Sequence, residues 1–145
     1  MSNDNVLIQL NNATFGYQGE DLLFEDIKIT VKKGDKTAIV GINGAGKSTL
    51  LKILTKQIPI EQGDLIVDCN PYYVPQIDLS VNDENLYVFE YISKYYEEWW
   101  EVPSETEKLF NLTIDTQDFV KNLSGGELMK LNLSIAIKQN PDVLI

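Results

Sequence analysis

The chain has no histidine and no arginine; its twelve basic residues are all lysines, set against twenty-two carboxylates for a formal net charge of -10. A nucleic-acid surface needs clustered Lys and Arg to displace counterions, so this balance argues against a nucleic-acid site made by the surface alone. The single cysteine, Cys69, excludes an internal disulfide and reads as a small buried hydrophobe. No apolar run approaches the ~18–20 residues that a membrane span needs, and the opening "MSNDNVLIQL" lacks the basic start and apolar stretch of a signal peptide. The chain therefore reads as cytoplasmic.

What is present fits one domain. A chain of 145 residues can bury a sizeable core, roughly 68–70% of its unfolded surface. The negative charge is local. Between Asp78 and Glu107 nine carboxylates face only Lys94, a net of -8, and the rest of the chain carries -2.

Alternation of apolar and polar residues in "NVLIQLNNATFGY" and "DLLFEDIKITVKKGD" predicts two strands, so residues 1–36 read as an antiparallel β layer. "KTAIVGI" is continuously apolar, the pattern of a strand covered on both faces of a parallel sheet. Behind it, "LLKILTK" places Leu50, Leu51, Ile53 and Leu54 at helical spacing. "LIVDC" and "YYVPQ" read as short strands, which closes a phosphate-loop core over 36–76. Residues 77–122 read as a helical subdomain. In it, Val88, Phe89, Ile92, Tyr95, Tyr96 and Trp99 predict a helix from Asn82 to about Trp100, ended by Pro103. Ser104 and Glu107 predict a capping box for the next helix. Residues 123–145 read as one more helix and the start of an apolar strand in "QNPDVLI".

Gly41-Ile42-Asn43-Gly44-Ala45-Gly46-Lys47-Ser48 fits the pattern G-x-x-x-x-G-K-[ST], between the expected strand and helix. Glycines let the backbone bend tightly and turn successive N–H groups inward, so the loop can wrap a polyphosphate that the helix N-terminus also attracts. Lys47 adds a positive charge for the terminal phosphates, and Ser48 offers a hydroxyl to Mg²⁺. The alternative is a glycine-rich turn without ligand. A second such feature is "LSGGE". Ser124 is an N-cap by type, and Gly125 and Gly126 bring no side chains to hold a phosphate away. A plain serine cap is its alternative.

With these in order, the chain resembles the ATP-binding cassette (ABC) superfamily. Tyr17, 24 residues before Gly41, resembles the family's aromatic platform for adenine; Gln76, in "YYVPQ", resembles the glutamine that reaches toward Mg²⁺ and the attacking water. "LSGGE" resembles the family signature and "NPDVLI" the strand that delivers the catalytic acids. The resemblance implies an α/β fold of the ABC ATPase type: a RecA-like P-loop NTPase core with an antiparallel β subdomain and a small helical subdomain, here truncated. It implies ATP and Mg²⁺ as cofactors, with Tyr17, Lys47, Ser48 and Thr49 on the nucleotide and Lys47 and Gln76 in catalytic positions. It also implies a second cassette, whose nucleotide Ser124, Gly125 and Gly126 would close upon.

The 29 residues from Lys47 to Gln76 and the Glu127 that ends the signature resemble the ABC-F class, soluble cassette ATPases that work with the ribosome. A transporter subunit docking on a transmembrane partner, and a nucleotide-binding or dimerisation module without turnover, remain alternatives. The family's hydrolytic Asp and Glu would follow Ile145 and its histidine sensor is missing, so the chain as given is expected to bind ATP without hydrolysing it. The acidic, aromatic stretch Tyr87 to Trp100 reads as a local core with a solvated face, or as a docking surface on which one of Trp99 and Trp100 is exposed.

Overall fold

The computed structural model describes residues 5–75, 83 and 85–145. They form two compact units, Met1–Tyr73 with Asp142–Ile145, and Val74–Pro141.

In the first unit, β1 (Val6–Gly16) is the centre of a three-stranded antiparallel sheet, flanked by β2 (Leu22–Lys32) and β3 (Gln62–Val67). The inward residues of β1 change phase along the strand: Ile8 and Leu10 are buried, and then Ala13 and Phe15. The register shifts between Leu10 and Ala13, and Asn12 sits in the left-handed region at φ 50°. This bulge carries one extra residue, so the apolar set stays on one face where strict alternation would have turned it outward. The Asn12 amide donates to Asp26 Oδ1 at 2.7 Å and fixes the kink.

Gly63 opposes the bulge. Its φ is +106°, and a Cβ there would lie 2.6 Å from the Asn11 carbonyl oxygen and 2.9 Å from Ala13 Cα. Only glycine allows this approach.

Helix α1 (Lys47–Leu54) buries Leu50, Ile53 and Leu54 with Ile8, Leu10 and Phe15 of the sheet. Each such side chain contributes ~1.5–3 kcal/mol of burial. Cys69 is half-buried against the same cluster, and its thiol is pushed up, first by burial and then by Asp142. Two short strands, β4 (Pro71–Tyr72) and β5 (Val143–Leu144), pair in parallel, and Asp142 Oδ2 accepts from the Asn70 N–H at 2.7 Å.

The expected strand "KTAIVGI" is not formed. Residues 35–42 have no ladder partner among the described residues, and Val40 and Ile42 are 91% and 82% exposed. An apolar run becomes a strand only where neighbouring strands take its N–H and C=O groups, and here none does.

The second unit is helical: α2 (Val88–Ser93), α3 (Val102–Phe110) and α4 (Gly125–Lys138), with 3-10 turns at Trp99–Glu101 and Val120–Asn122. Its core joins Val88 and Ile92, Val102, and Leu128, Leu131 and Ile135, one or more from each helix. The Tyr91 hydroxyl donates to Asn132 Oδ1 at 2.9 Å inside this core. Burial, the largest cause, and the neighbouring Tyr95 push the Tyr91 phenol up to about 12.

Two expectations fail here. The stretch from Asn82 to Trp100 is not one helix, although Asn82 itself lies outside the described residues. α2 stops at Ser93, whose hydroxyl turns back to the Phe89 carbonyl at 2.7 Å, while Gln139, the C-cap of α4, donates to the Tyr95 carbonyl. Tyr96 and Trp99 still reach the core, from a turn. Pro103 does not end a helix but stands in the first turn of α3, where its missing N–H costs nothing. The helix therefore starts upstream of Ser104, which donates to the Glu101 carbonyl at 2.9 Å and forms no capping box with Glu107.

Candidate functional site

The loop 41–48 bends as its glycines dictate. Gly44 and Gly46 have φ of +83° and +79°, and Gly46 is the residue from which α1 starts. An added Cβ at Gly46 would also meet Leu23 Cβ and Phe24 Cδ1 at 3.3 Å, so the β layer presses on the loop. The Lys47 ammonium donates to the Gly41 and Ile42 carbonyls at 2.8 and 2.7 Å. It thus spans the loop it belongs to. Its neighbour Ser48 follows at the start of α1, where unsatisfied N–H groups and the helix dipole favour an anion.

Tyr17 arrives from the end of β1. Its hydroxyl is 3.1 Å from Thr49 Oγ1, its ring stands edge-on to Phe15 at 5.2 Å, and it is 44% exposed. The structure thus brings Tyr17 to α1, directly behind the loop. Asn43 and Ala45 complete the loop, whose backbone turns at Ala45 through a bond from its N–H to the Ile42 carbonyl at 3.3 Å. A cavity of about 420 Å³ lies beside Lys47 and Ser48, but its other walls are chiefly apolar, among them Ile29, Ile39, Leu51 and Val143. Such walls do not suit a polyphosphate, and the phosphate assignment rests on the loop.

Among the described residues no group of three His, Cys, Asp or Glu side chains converges to hold a metal. A divalent cation here would depend on Ser48 and on the phosphates themselves. Gln76 lies outside the described residues.

The signature segment belongs to the second unit. Ser124 is the N-cap of α4: its Oγ accepts from the Glu127 N–H at 3.3 Å, and Glu127 Oε2 accepts from the Ser124 N–H at 2.7 Å. The Ser124 hydroxyl and backbone N–H hold the Glu127 carboxyl below its ordinary range. The sequence signal of this reciprocal box is the S-x-x-E spacing of Ser124 and Glu127. The box also gives Glu127 a local duty whose two bonds a glutamine would keep, without the charge. A Cβ added at Gly125 or Gly126 would meet nothing within 4 Å. The chain's own packing therefore does not demand these glycines.

A family model described as ABC transporter matches residues 24–145. The chain belongs to the ABC transporter family. An ABC cassette binds ATP with Mg²⁺ and is in general an ATPase, and such cassettes act as dimers or with transmembrane subunits. A "Probable metal transport system ATP-binding protein" of Thermotoga maritima is 30% identical over 144 residues, 96% of this chain and 60% of its own length. The ATP-binding protein Uup of Buchnera aphidicola is 26% identical over 147 residues, 96% of this chain but 24% of Uup. A crystal structure of a nucleotide-free ATP-binding cassette from an ABC transporter shares the fold at a TM-score of 0.76, with 20% identity, 96% of this chain and 67% of that one covered. The chain thus spans about 60% of the length of the T. maritima relative. Among the described residues of this ABC cassette no helix is long and apolar enough to cross a membrane.

Proposed function

We propose that this chain binds ATP–Mg²⁺ through Gly41, Asn43, Gly44, Ala45, Gly46, Lys47, Ser48 and Thr49, with adenine against Tyr17, in a cytoplasmic ATPase of the ABC-F type that acts on the ribosome. The observation that carries the nucleotide part is the loop itself: two left-handed glycines, a helix N-terminus, and an ammonium held across the bend. Ser48 and Gln76 would serve Mg²⁺, and Lys47 and Gln76 the γ-phosphate and the attacking water. Ser124, Gly125 and Gly126 would cap the nucleotide of a second cassette, so that ATP holds two cassettes together and hydrolysis frees them.

The ABC-F part is supported by the 29-residue spacing from Lys47 to Gln76. It is also supported by the likeness to Uup, a much longer chain of which the matched stretch is 24%. A second reading, the ATP-binding subunit of a membrane transporter, is favoured by the likeness to the metal transport relative.

Titration with a fluorescent ATP analogue tests the nucleotide part. Lys47→Ala should weaken binding at least ~10-fold, as expected for a lost charged hydrogen bond; unchanged affinity would refute it. Co-sedimentation with ribosomes in a non-hydrolysable ATP analogue separates the two contexts, since a transporter subunit stays in the supernatant.

A further inference from the structure

The nucleotide reading leaves an aromatic cleft of the helical unit unused. Tyr87 pairs with Phe119 through a single antiparallel bridge, and their rings stack at 4.6 Å. Tyr87 also stacks on Phe89 at 5.8 Å, and Phe89 leans on Trp99 at 5.5 Å. Between them, Val88 is fully buried in the core, and Tyr87 is 40% exposed. The result is a cleft of about 480 Å³ lined by Tyr87, Phe89, Trp99, Thr116 and Gln117.

Carboxylates adjoin its ring-bearing residues in sequence. Glu90 directly follows Phe89, and Glu97 and Glu98 directly precede Trp99. The one lysine of the stretch, Lys94, is bonded to Asp83, and Lys138 pairs with Glu101 at 2.6 Å. Among the described residues Glu97 and Glu98 form no ion pair with a lysine. The same ring stack already receives a cation at its other end, where the Lys121 ammonium lies 5.0 Å from the centroid of Phe119.

We propose that this cleft receives an arginine or lysine side chain from a basic segment of a partner protein. The ring faces supply the negative side of their quadrupoles and the neighbouring carboxylates supply the field. Exposed aromatic faces alone would also suit unpaired bases, but phosphates would be repelled by a stretch carrying a net charge of -8. The inference concerns the second unit only and does not rest on ATP binding.

The full chain carries its own reporter, because Trp99 and Trp100 are its two tryptophans. Tryptophan emission is titrated with an acetylated Gly-Arg-Gly-Arg-Gly amide, with its citrulline counterpart, which keeps the shape and lacks the charge, and with oligouridine. The Arg peptide should give a saturable change that salt weakens, and Phe89→Leu should weaken it by about 3- to 30-fold. Glu98→Gln, on an exposed side chain, should weaken it by about 2- to 5-fold and stands in if Phe89→Leu does not fold by circular dichroism. No saturable change, an equal response to the citrulline peptide, or tighter binding of oligouridine would overturn the proposal. A fluorescent ATP analogue titrated into the same sample keeps the two readings apart: ATP binding without peptide binding sinks this one and spares the other.

Discussion

The Tyr17 hydroxyl and Thr49 Oγ1 stand 3.1 Å apart, joining the end of the central β1 strand to the helix that follows the phosphate loop across thirty-two residues of sequence. The tie fixes where the Tyr17 ring lies relative to the loop. If the ring carries adenine, Tyr17→Ala should weaken ATP binding by ~1–3 kcal/mol, the usual worth of one stacked base. Tyr17→Phe keeps the ring and should stay within a few-fold of the parent. Calorimetric titration of the two variants decides this, and equal losses would assign the effect to the hydroxyl.

The cap of α4 makes a pH prediction. Glu127 has a folded-state pKa below its ordinary 4.5. Its contribution is therefore present above that value and is lost as the pH falls through the lower, folded-state value. Glu127→Gln keeps both bonds of the box, so thermal melts of the variant should lack this acid-dependent component. Ser124→Ala should cost about 1 kcal/mol at neutral pH.

Gly126 sits in the first turn of that helix with open space around it. Gly126→Ala should raise stability by ~0.5–1 kcal/mol, since glycine is poor inside a helix. If a second nucleotide must approach there, the same change should slow ATP turnover of the paired cassettes. A gain in melting temperature together with unimpaired turnover would argue against the contact.

At Gly63 the expectation is the reverse. An alanine Cβ would collide with the Asn11 and Asn12 carbonyls at 2.6 and 2.7 Å and would hold φ +106° against its preference. Gly63→Ala should destabilise by at least ~1–3 kcal/mol. Urea unfolding measures it, and a neutral outcome would mean that β3 can slide.

Inside the helical unit, Tyr91→Phe leaves Asn132 Oδ1 without its donor and should cost ~1–3 kcal/mol. The phenol, raised to about 12, favours the folded state below its ordinary value of 10.0, and that contribution fades as the pH rises from there through about 12. The Tyr96 phenol is raised as well, first by burial, so absorbance titration of the seven tyrosines should show more than one ionising late, and the loss of one of these in Tyr91→Phe identifies Tyr91.

What could be read in advance was whatever a few adjacent residues decide. The loop around Lys47, the helix behind it and the serine at the start of α4 each depend on neighbours in sequence, and each is where the pattern puts it. The stretch "KTAIVGI" misled because a strand is defined by partners, and apolar content does not supply them. Residues 88–99 misled for a different reason. Val88, Ile92, Tyr96 and Trp99 do converge on one core, as their spacing suggests, but after Ser93 they reach it through a turn pinned by Gln139, forty-four residues away from Tyr95. The pairing of Tyr91 with Asn132 is likewise invisible in one dimension.

The extra residue at Asn12 has a consequence for any comparison of this strand. It acts as a phase shifter: a regular strand running through Asn12 would leave Ile8 and Leu10 undisturbed while turning Ala13 and Phe15 to the wet side, whereas deleting the extra residue should keep all four inward by plain alternation. The placement of the Tyr17 ring is thus decided five positions upstream, by an odd count in an otherwise even strand.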